Sequence, residues 1–170
     1  MTRPALFLDR DGVINVDHGY VHRWEDFEYV PGIVELIRHF NGLDWPVVVV
    51  TNQSGIARGY YSEEQMHALH AALQADLAQQ GARLDAVYFC PYLKGAPVAA
   101  YDRNSPDRKP KPGMLLRAAR EMGLDLAASI LIGDGERDII AAQVAGARGF
   151  LFKGVNVWDF ARARVLPELT

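Results

Sequence analysis

Asp9 and Asp11 stand two residues apart, directly after the apolar run Ala5-Leu6-Phe7-Leu8 and just before Gly12. Side chains two apart on an extended chain return to the same side, so as that strand ends both carboxylates can face one small site. Such a pair can combine a nucleophile or metal ligand with a group that gives and takes a proton. The same spacing also occurs in calcium loops and plain turns. A calcium loop opening at Asp9 would need a closing Glu at its twelfth position, where this chain has Tyr20. Calcium is therefore a poor fit.

Three further clusters carry polar chemistry. Thr51-Asn52-Gln53-Ser54-Gly55 offers a hydroxyl and two amides that could donate to phosphate oxygens, although the same residues also make a good polar turn. In Gly133-Asp134-Gly135-Glu136-Arg137-Asp138, acidic residues could simply favour a helix N-terminus. Asp134 fits that explanation less well, because it precedes the helix and would face Asp9 and Asp11 if their strands are neighbours. Converging carboxylates repel unless a cation joins them, and hard oxygen ligands suit Mg²⁺. Arg108-Lys109-Pro110-Lys111-Pro112 is a basic cluster stiffened by proline, either a solvated turn or a set of rigid cations. Cations delivered to a carboxylate edge are what phosphoryl transfer needs, because its transition state spreads negative charge over non-bridging oxygens.

The elements that must position these groups alternate along the chain. Short apolar or β-rich runs at Ala5–Leu8, Pro46–Val50, Ala86–Phe89, Ser129–Ile132 and Gly149–Phe152 suit strands buried on both faces. Pro31 fits a helix start before Ile33, Leu36, Ile37 and Phe40. Ser62-Glu63-Glu64-Gln65 is a capping box ahead of Met66, Leu69, Leu73 and Leu77. Pro112 opens a third helix, and Glu136–Ala145 is a fourth. The expected fold is α/β: a Rossmann-like open parallel sheet of about five strands with helices on both faces, binding its ligand beyond the carboxyl ends of the strands. Residues 91–111 lack a clear period, and a loop of that length in a compact domain is usually functional or disordered.

Composition narrows the classes. The 170 residues, 49% hydrophobic and 23% charged, suit one well-buried domain over 1–170. A net charge of −3 argues against a nucleic-acid partner. The chain opens on Met1-Thr2-Arg3-Pro4 with no apolar signal segment, and no stretch approaches membrane-spanning length, so no membrane association and a cytoplasmic location are expected. The one cysteine, Cys90, excludes an internal disulfide and follows a strand, as a buried thiol would. His67 and His70 lie on one helix without a third ligand and are expected at the surface. Trp24, Trp45 and Trp158 are expected to serve packing.

With these motifs in order, the chain resembles the haloacid dehalogenase-like (HAD) phosphohydrolases over nearly its whole length. Asp9-Arg10-Asp11-Gly12 resembles their first motif, Thr51 with Asn52 their second, Lys109 their third and Gly133–Asp138 their fourth. More narrowly, the segments Phe7–Asn15, His18–His22, Thr51–Gly59 and Arg108–Pro110 resemble the family of D-glycero-D-manno-heptose 1,7-bisphosphate 7-phosphatases, with the histidinol-phosphate phosphatases similar over the same segments. The resemblance implies a domain with a minimal cap made of loops. It also implies a phosphatase with Asp9 as nucleophile and Asp11 as acid and base. Mg²⁺ would be held by Asp9, Asp134 and the Asp11 backbone carbonyl, and Thr51 and Lys109 would act on the phosphoryl group. Asn52, Gln53, Arg58, Arg108, His18 and Tyr20 would bind a small phosphorylated sugar, with Lys94, Arg103 and Lys111 as further candidates for a remote phosphate. Asp138 would be an outer-sphere metal ligand or a partner of Lys109. Family members commonly hold zinc in the long loop; here the corresponding positions are Cys90, Tyr92, Ser105 and Asp107, so no zinc is expected. The implied role is in precursor synthesis for the lipopolysaccharide core, by a monomer. A non-catalytic phosphate-binding module on the same fold is the alternative of a different class, and retention of both Asp9 and Asp11 argues against it.

Overall fold

The computed structural model describes residues 1–169. Five parallel strands, β1 (Leu6–Leu8), β2 (Val47–Asn52), β3 (Ala86–Cys90), β4 (Ile130–Gly133) and β5 (Arg148–Leu151), form one sheet in the order β3-β2-β1-β4-β5. The shortest strand, β1, is the central one. Its three residues pair with β2 on one side (Leu8 opposite Val49) and with β4 on the other (Leu8 opposite Ile132). The chain runs outward from β1 through β2 to β3, then crosses back to place β4 on the far side of β1. Ligands of open α/β sheets bind at such a reversal.

Alternation along the strands assigns the helices to faces. Leu6, Leu8, Val47, Val49, Ile130 and Ile132 point to one face. There they pack against α1 (Ile33–Gly42), α2 (Glu63–Gln79) and α5 (Val157–Arg164). Phe7, Val48, Val50 and Leu131 point to the other and meet α3 (Gly113–Met122) and α4 (Glu136–Ala145). Both sets are fully buried, which is why these strands are continuously apolar rather than alternating. At roughly 1.5–3 kcal/mol for each buried Leu, Ile, Val or Phe side chain, the two layers hold the central strands rigidly enough for their ends to carry a site.

Local chemistry explains the helix starts. Ser62 caps α2 as expected: its Oγ accepts from the Gln65 N–H at 3.1 Å, while Gln65 Oε1 accepts from the Ser62 N–H at 2.8 Å. Helix α1 begins at Ile33, two residues past the expected proline, because Gly32 takes the left-handed cap conformation with φ 87°. The helix α5 goes beyond the sequence reading. Its signals are an Asn156 cap that accepts from the Asp159 N–H at 2.9 Å and the buried stripe Val157, Ala161, Val165. Between β3 and α3 the chain makes only one turn of 3₁₀ helix, Ala99–Tyr101, as the irregular sequence there implied. Among the described residues, no helix is long and apolar enough to cross a membrane.

Candidate active site

Three strand ends and one long loop meet at the carboxyl edge of the sheet. Asp9 follows β1 and is only 5% exposed; Thr51 and Asn52 end β2; Asp134 follows β4. Lys109, 2% exposed, reaches in from the loop before α3. Its Nζ donates to Asp9 Oδ1 at 2.9 Å, to Asp138 Oδ1 at 2.6 Å and to the Val50 carbonyl at 2.8 Å, which uses all three ammonium protons. Asn52 clamps the Lys109 backbone from both sides: Nδ2 donates to the Lys109 carbonyl at 3.1 Å, and Oδ1 accepts from the Lys109 N–H at 3.0 Å. Expected only against the substrate, Asn52 thus also anchors the loop that brings the cation.

Two glycines let the acidic groups approach. A Cβ on Gly133 would lie 2.5 Å from Asp138 Oδ2. A Cβ on Gly12 would lie 2.0 Å from Asp134 Oδ2, and Gly12 also holds φ 90°, which side chains rarely adopt. The result is a cluster of Asp9, Asp134 and Asp138 whose ligand atoms lie within 4.8 Å of one another. Burial lifts the Asp9 carboxyl to about 7 despite the pull of Lys109, with Asp138 and Asp134 adding repulsion. Asp134 is raised by burial, and Asp138 adds to it. Burial works against the charge of Lys109, but Asp9 and Asp138 outweigh it and hold its pKa above the ordinary value. Three carboxylates against one ammonium leave a surplus of negative charge on hard oxygen donors. That is the environment a Mg²⁺ ion fits.

Asp11 is held differently. Its Oδ1 accepts from Arg10 Nη2 at 2.9 Å and Asn15 Nδ2 at 3.0 Å, and its Oδ2 accepts from Gln53 Nε2 at 3.2 Å. Gln53 is fixed in turn, donating to Thr51 Oγ1 at 2.8 Å and accepting from the Tyr61 hydroxyl. Asp11, Asn52, Gln53, Arg58, Arg108 and Arg137 line a cleft of about 310 Å³, with Tyr20 on its rim. Three guanidinium groups from three different segments therefore face one space. Burial and the like charges of Arg137 and Arg58 lower the pKa of Arg108. Its buried Nη1 has no hydrogen-bond partner among the described residues. Clustered cations with an unused donor have the chemistry to hold an anion.

The other expected residues take varied places. Tyr20 lies edge-on to Tyr60, ring centroids 4.8 Å apart, with Arg58 at 5.9 Å from its ring. Thr51 is fully buried beneath the cleft floor. His18 is turned outward to Glu28 at 3.0 Å and is not on the cleft wall. Lys94, Arg103 and Lys111 also stay off that wall: Arg103 stacks 3.9 Å from the Tyr92 ring, and Lys111 Nζ donates to Asn104. Asp138 is fully buried as a partner of Lys109. Arg137, Tyr61 and Asn15 were not foreseen in the site. His70 was expected at the surface and is instead 7% exposed, because position 70 shares the buried face of α2 with Met66, Leu69, Leu73 and Leu77 and pairs with Arg10. His67 is exposed, as expected.

A parallel sheet with paired carboxylates at its central strand end, a buried lysine and a fourth acidic motif defines a HAD-like hydrolase, and the chain belongs to that family. The HAD-hydrolase-like family model matches residues 107–156. The chain is 49% identical over 155 residues to a D-glycero-D-manno-heptose-1,7-bisphosphate 7-phosphatase of Thermosynechococcus vestitus, covering 89% of this chain and 79% of the relative. It is 44% identical over 167 residues to a D-glycero-beta-D-manno-heptose-1,7-bisphosphate 7-phosphatase of Rhodopseudomonas palustris, covering 98% of this chain and 92% of that one. Among solved structures, D,D-heptose 1,7-bisphosphate phosphatase from B. bronchiseptica, complexed with magnesium and phosphate, superposes with a TM-score of 0.80 at 36% identity, covering 98% of this chain and 90% of that chain.

Proposed function

We propose that the chain, acting as a single domain over 1–170, is a Mg²⁺-dependent phosphatase that removes the 7-phosphate of D-glycero-D-manno-heptose 1,7-bisphosphate. The observation that carries the substrate is the trio Arg58, Arg108 and Arg137 facing the cleft beside Asp11. A second phosphate on the substrate gives these cations a partner away from the reacting centre, and binding energy gained there orients the first. Histidinol phosphate, the substrate of the similar family, would instead bring a cationic amine to this rim.

Asp9 is the nucleophile. One of its oxygens bonds to phosphorus as the ester P–O bond breaks, giving an aspartyl-phosphate. Asp11 gives its proton to the departing sugar alkoxide, then takes a proton from the water that attacks the aspartyl-phosphate, releasing phosphate and restoring Asp9. Lys109 holds Asp9 in place and balances charge around it. Asn52 keeps Lys109 there, and Gln53 orients Asp11 from the strand end that also carries Thr51. Mg²⁺, which Asp9, Asp134 and the Asp11 backbone carbonyl would hold, supplies positive charge against which an anionic nucleophile and an anionic substrate can meet. The chain acts without zinc in its long loop, as a cytoplasmic monomer that needs no partner beyond the sugar phosphate.

Steady-state kinetics on the heptose bisphosphate and on histidinol phosphate test the assignment, with exhaustive chelation and Asp9→Asn as controls. The bisphosphate is expected to show the higher kcat/KM, and each control should lower turnover by several orders of magnitude. A preference for histidinol phosphate overturns the substrate, and undiminished turnover by Asp9→Asn overturns the mechanism.

A further inference from the structure

Arg10, the residue between the two catalytic carboxylates, is a charged side chain with 1% exposure. Burying a guanidinium is costly unless its protons are used. Here the two terminal nitrogens make three contacts, while the Nε–H is buried without a partner among the described residues. Nη2 donates to Asp11 Oδ1 at 2.9 Å and to the Val21 carbonyl at 2.7 Å, and Nη1 pairs with His70 Nε2 at 3.2 Å. An arginine has no acceptor, so His70 Nε2 must accept and its proton must sit on Nδ1. His70 comes from α2, Val21 from the loop that forms the cleft rim, and Asp11 from the end of β1. One side chain therefore ties two other segments, α2 and the rim loop, to a single carboxylate oxygen at the end of β1.

The arrangement also separates the two oxygens of Asp11. Oδ1 already accepts from Arg10 and Asn15, whereas Oδ2 accepts only from Gln53 among the described residues. A carboxylate oxygen with both lone pairs engaged is poorly placed to carry a proton.

Resting on the phosphatase reading above, we propose that Arg10, braced by His70, is a positioning residue that occupies Asp11 Oδ1 and so makes Oδ2 the oxygen that gives its proton to the leaving group and later takes one from water. His70 acts only through Arg10 and touches neither substrate nor reacting atoms.

The test exploits the leaving group. An alkyl phosphate expels a strongly basic alkoxide and depends on the acid, whereas p-nitrophenyl phosphate expels a stabilised phenolate and depends on it far less. His70→Leu fills the space but offers Arg10 no acceptor; His70→Gln restores one. Arg10→Lys keeps the charge but cannot reach Asp11, Val21 and His70 together. In His70→Leu and Arg10→Lys, kcat on an alkyl phosphate is expected to fall about tenfold or more beyond the fall on p-nitrophenyl phosphate, a share of the roughly 10²–10⁴-fold that a positioned acid contributes. His70→Gln should recover most of that differential. Equal losses on both esters, or a Gln variant as selective in its defect as the Leu variant, would overturn the proposal. Arg10→Lys decides the matter alone if His70→Leu does not fold. Failure of the phosphatase reading itself would be separately visible, as absence of turnover of either ester by the unaltered protein.

Discussion

Lys109 Nζ lies 2.9 Å from Asp9 Oδ1 although 100 positions of chain separate them, and the same ammonium lies 2.6 Å from Asp138 Oδ1. The cation bridges two buried carboxylates, so it is the electrostatic keystone of the strand edge. Removing it leaves like charges facing each other without a partner. Lys109→Met should therefore destabilise the fold by about 3–5 kcal/mol, the range for breaking a buried pair from one side. Adding Asp138→Asn should return part of that loss. Urea unfolding of the single and double variants checks both statements; a single variant within about 0.5 kcal/mol of the parent would contradict them.

His70 gives stability a pH dependence. Burial, with Arg10 and His67 adding and Asp11 opposing, pushes its pKa down to about 3 from an ordinary 6.5. Above pH 6.5 both folded and unfolded chains hold it neutral, and its contribution is fully present. As pH falls toward 3 only the unfolded chain gains the proton, so stability drops by up to roughly 1.4 kcal/mol per pH unit. Carboxylates titrate in the same window, so the informative quantity is the difference between the parent and His70→Gln. The parent should lose more stability between pH 6.5 and 4, and parallel curves would show that His70 is not buried neutral.

Arg108 and Arg137 should differ in weight. Arg108 is half-buried with an unpartnered donor, whereas Arg137 is exposed. A hydrogen bond to a charged group contributes roughly 1.5–3 kcal/mol, so Arg108→Ala should cost about 10- to 100-fold in kcat/KM on the bisphosphate and much less on a simple monophosphate ester. Arg137→Ala should show the same preference at smaller size. Equal losses on both ester types would remove the anion subsite from the argument.

The purified protein should carry no stoichiometric zinc. Cys90 is buried, Ser105 Oγ accepts from the Asp107 N–H at 3.1 Å, and the Asp107 carboxylate is engaged by Arg117 Nη1 at 2.8 Å. Those contacts hold the long loop by themselves, and a hydroxyl and a tyrosine are poor zinc donors. Elemental analysis finding about one zinc per chain, lost in Cys90→Ser, would contradict this.

What the sequence disclosed depended on whether a residue's partners were local. The strands, the Ser62 cap and the four motifs were legible because periodicity, capping chemistry and strand ends are short-range properties. Arg10 and His70 were not: each is a polar residue whose burial is stabilised by a partner 60 positions away. His70 does fall on the stripe of Met66 and Leu73, so its spacing carried the signal that its polarity obscured. Arg137 was visible as a neighbour of Asp134, but only the fold shows that it shares a cleft with Arg58 and Arg108. The helix α5 went unread because its stripe is made of Val and Ala among charged residues, a weak apolar contrast.

Gly12 bears on how related chains should be judged. Because a β-carbon there would occupy the place of the Asp134 carboxylate, the two positions behave as one unit although they belong to different motifs. A homologue could keep every acidic residue of the site and still be unable to assemble it, if position 12 has acquired a side chain. Screening such sequences for lapsed enzymes by their carboxylates alone would pass these chains as active; the glycine is the more telling character.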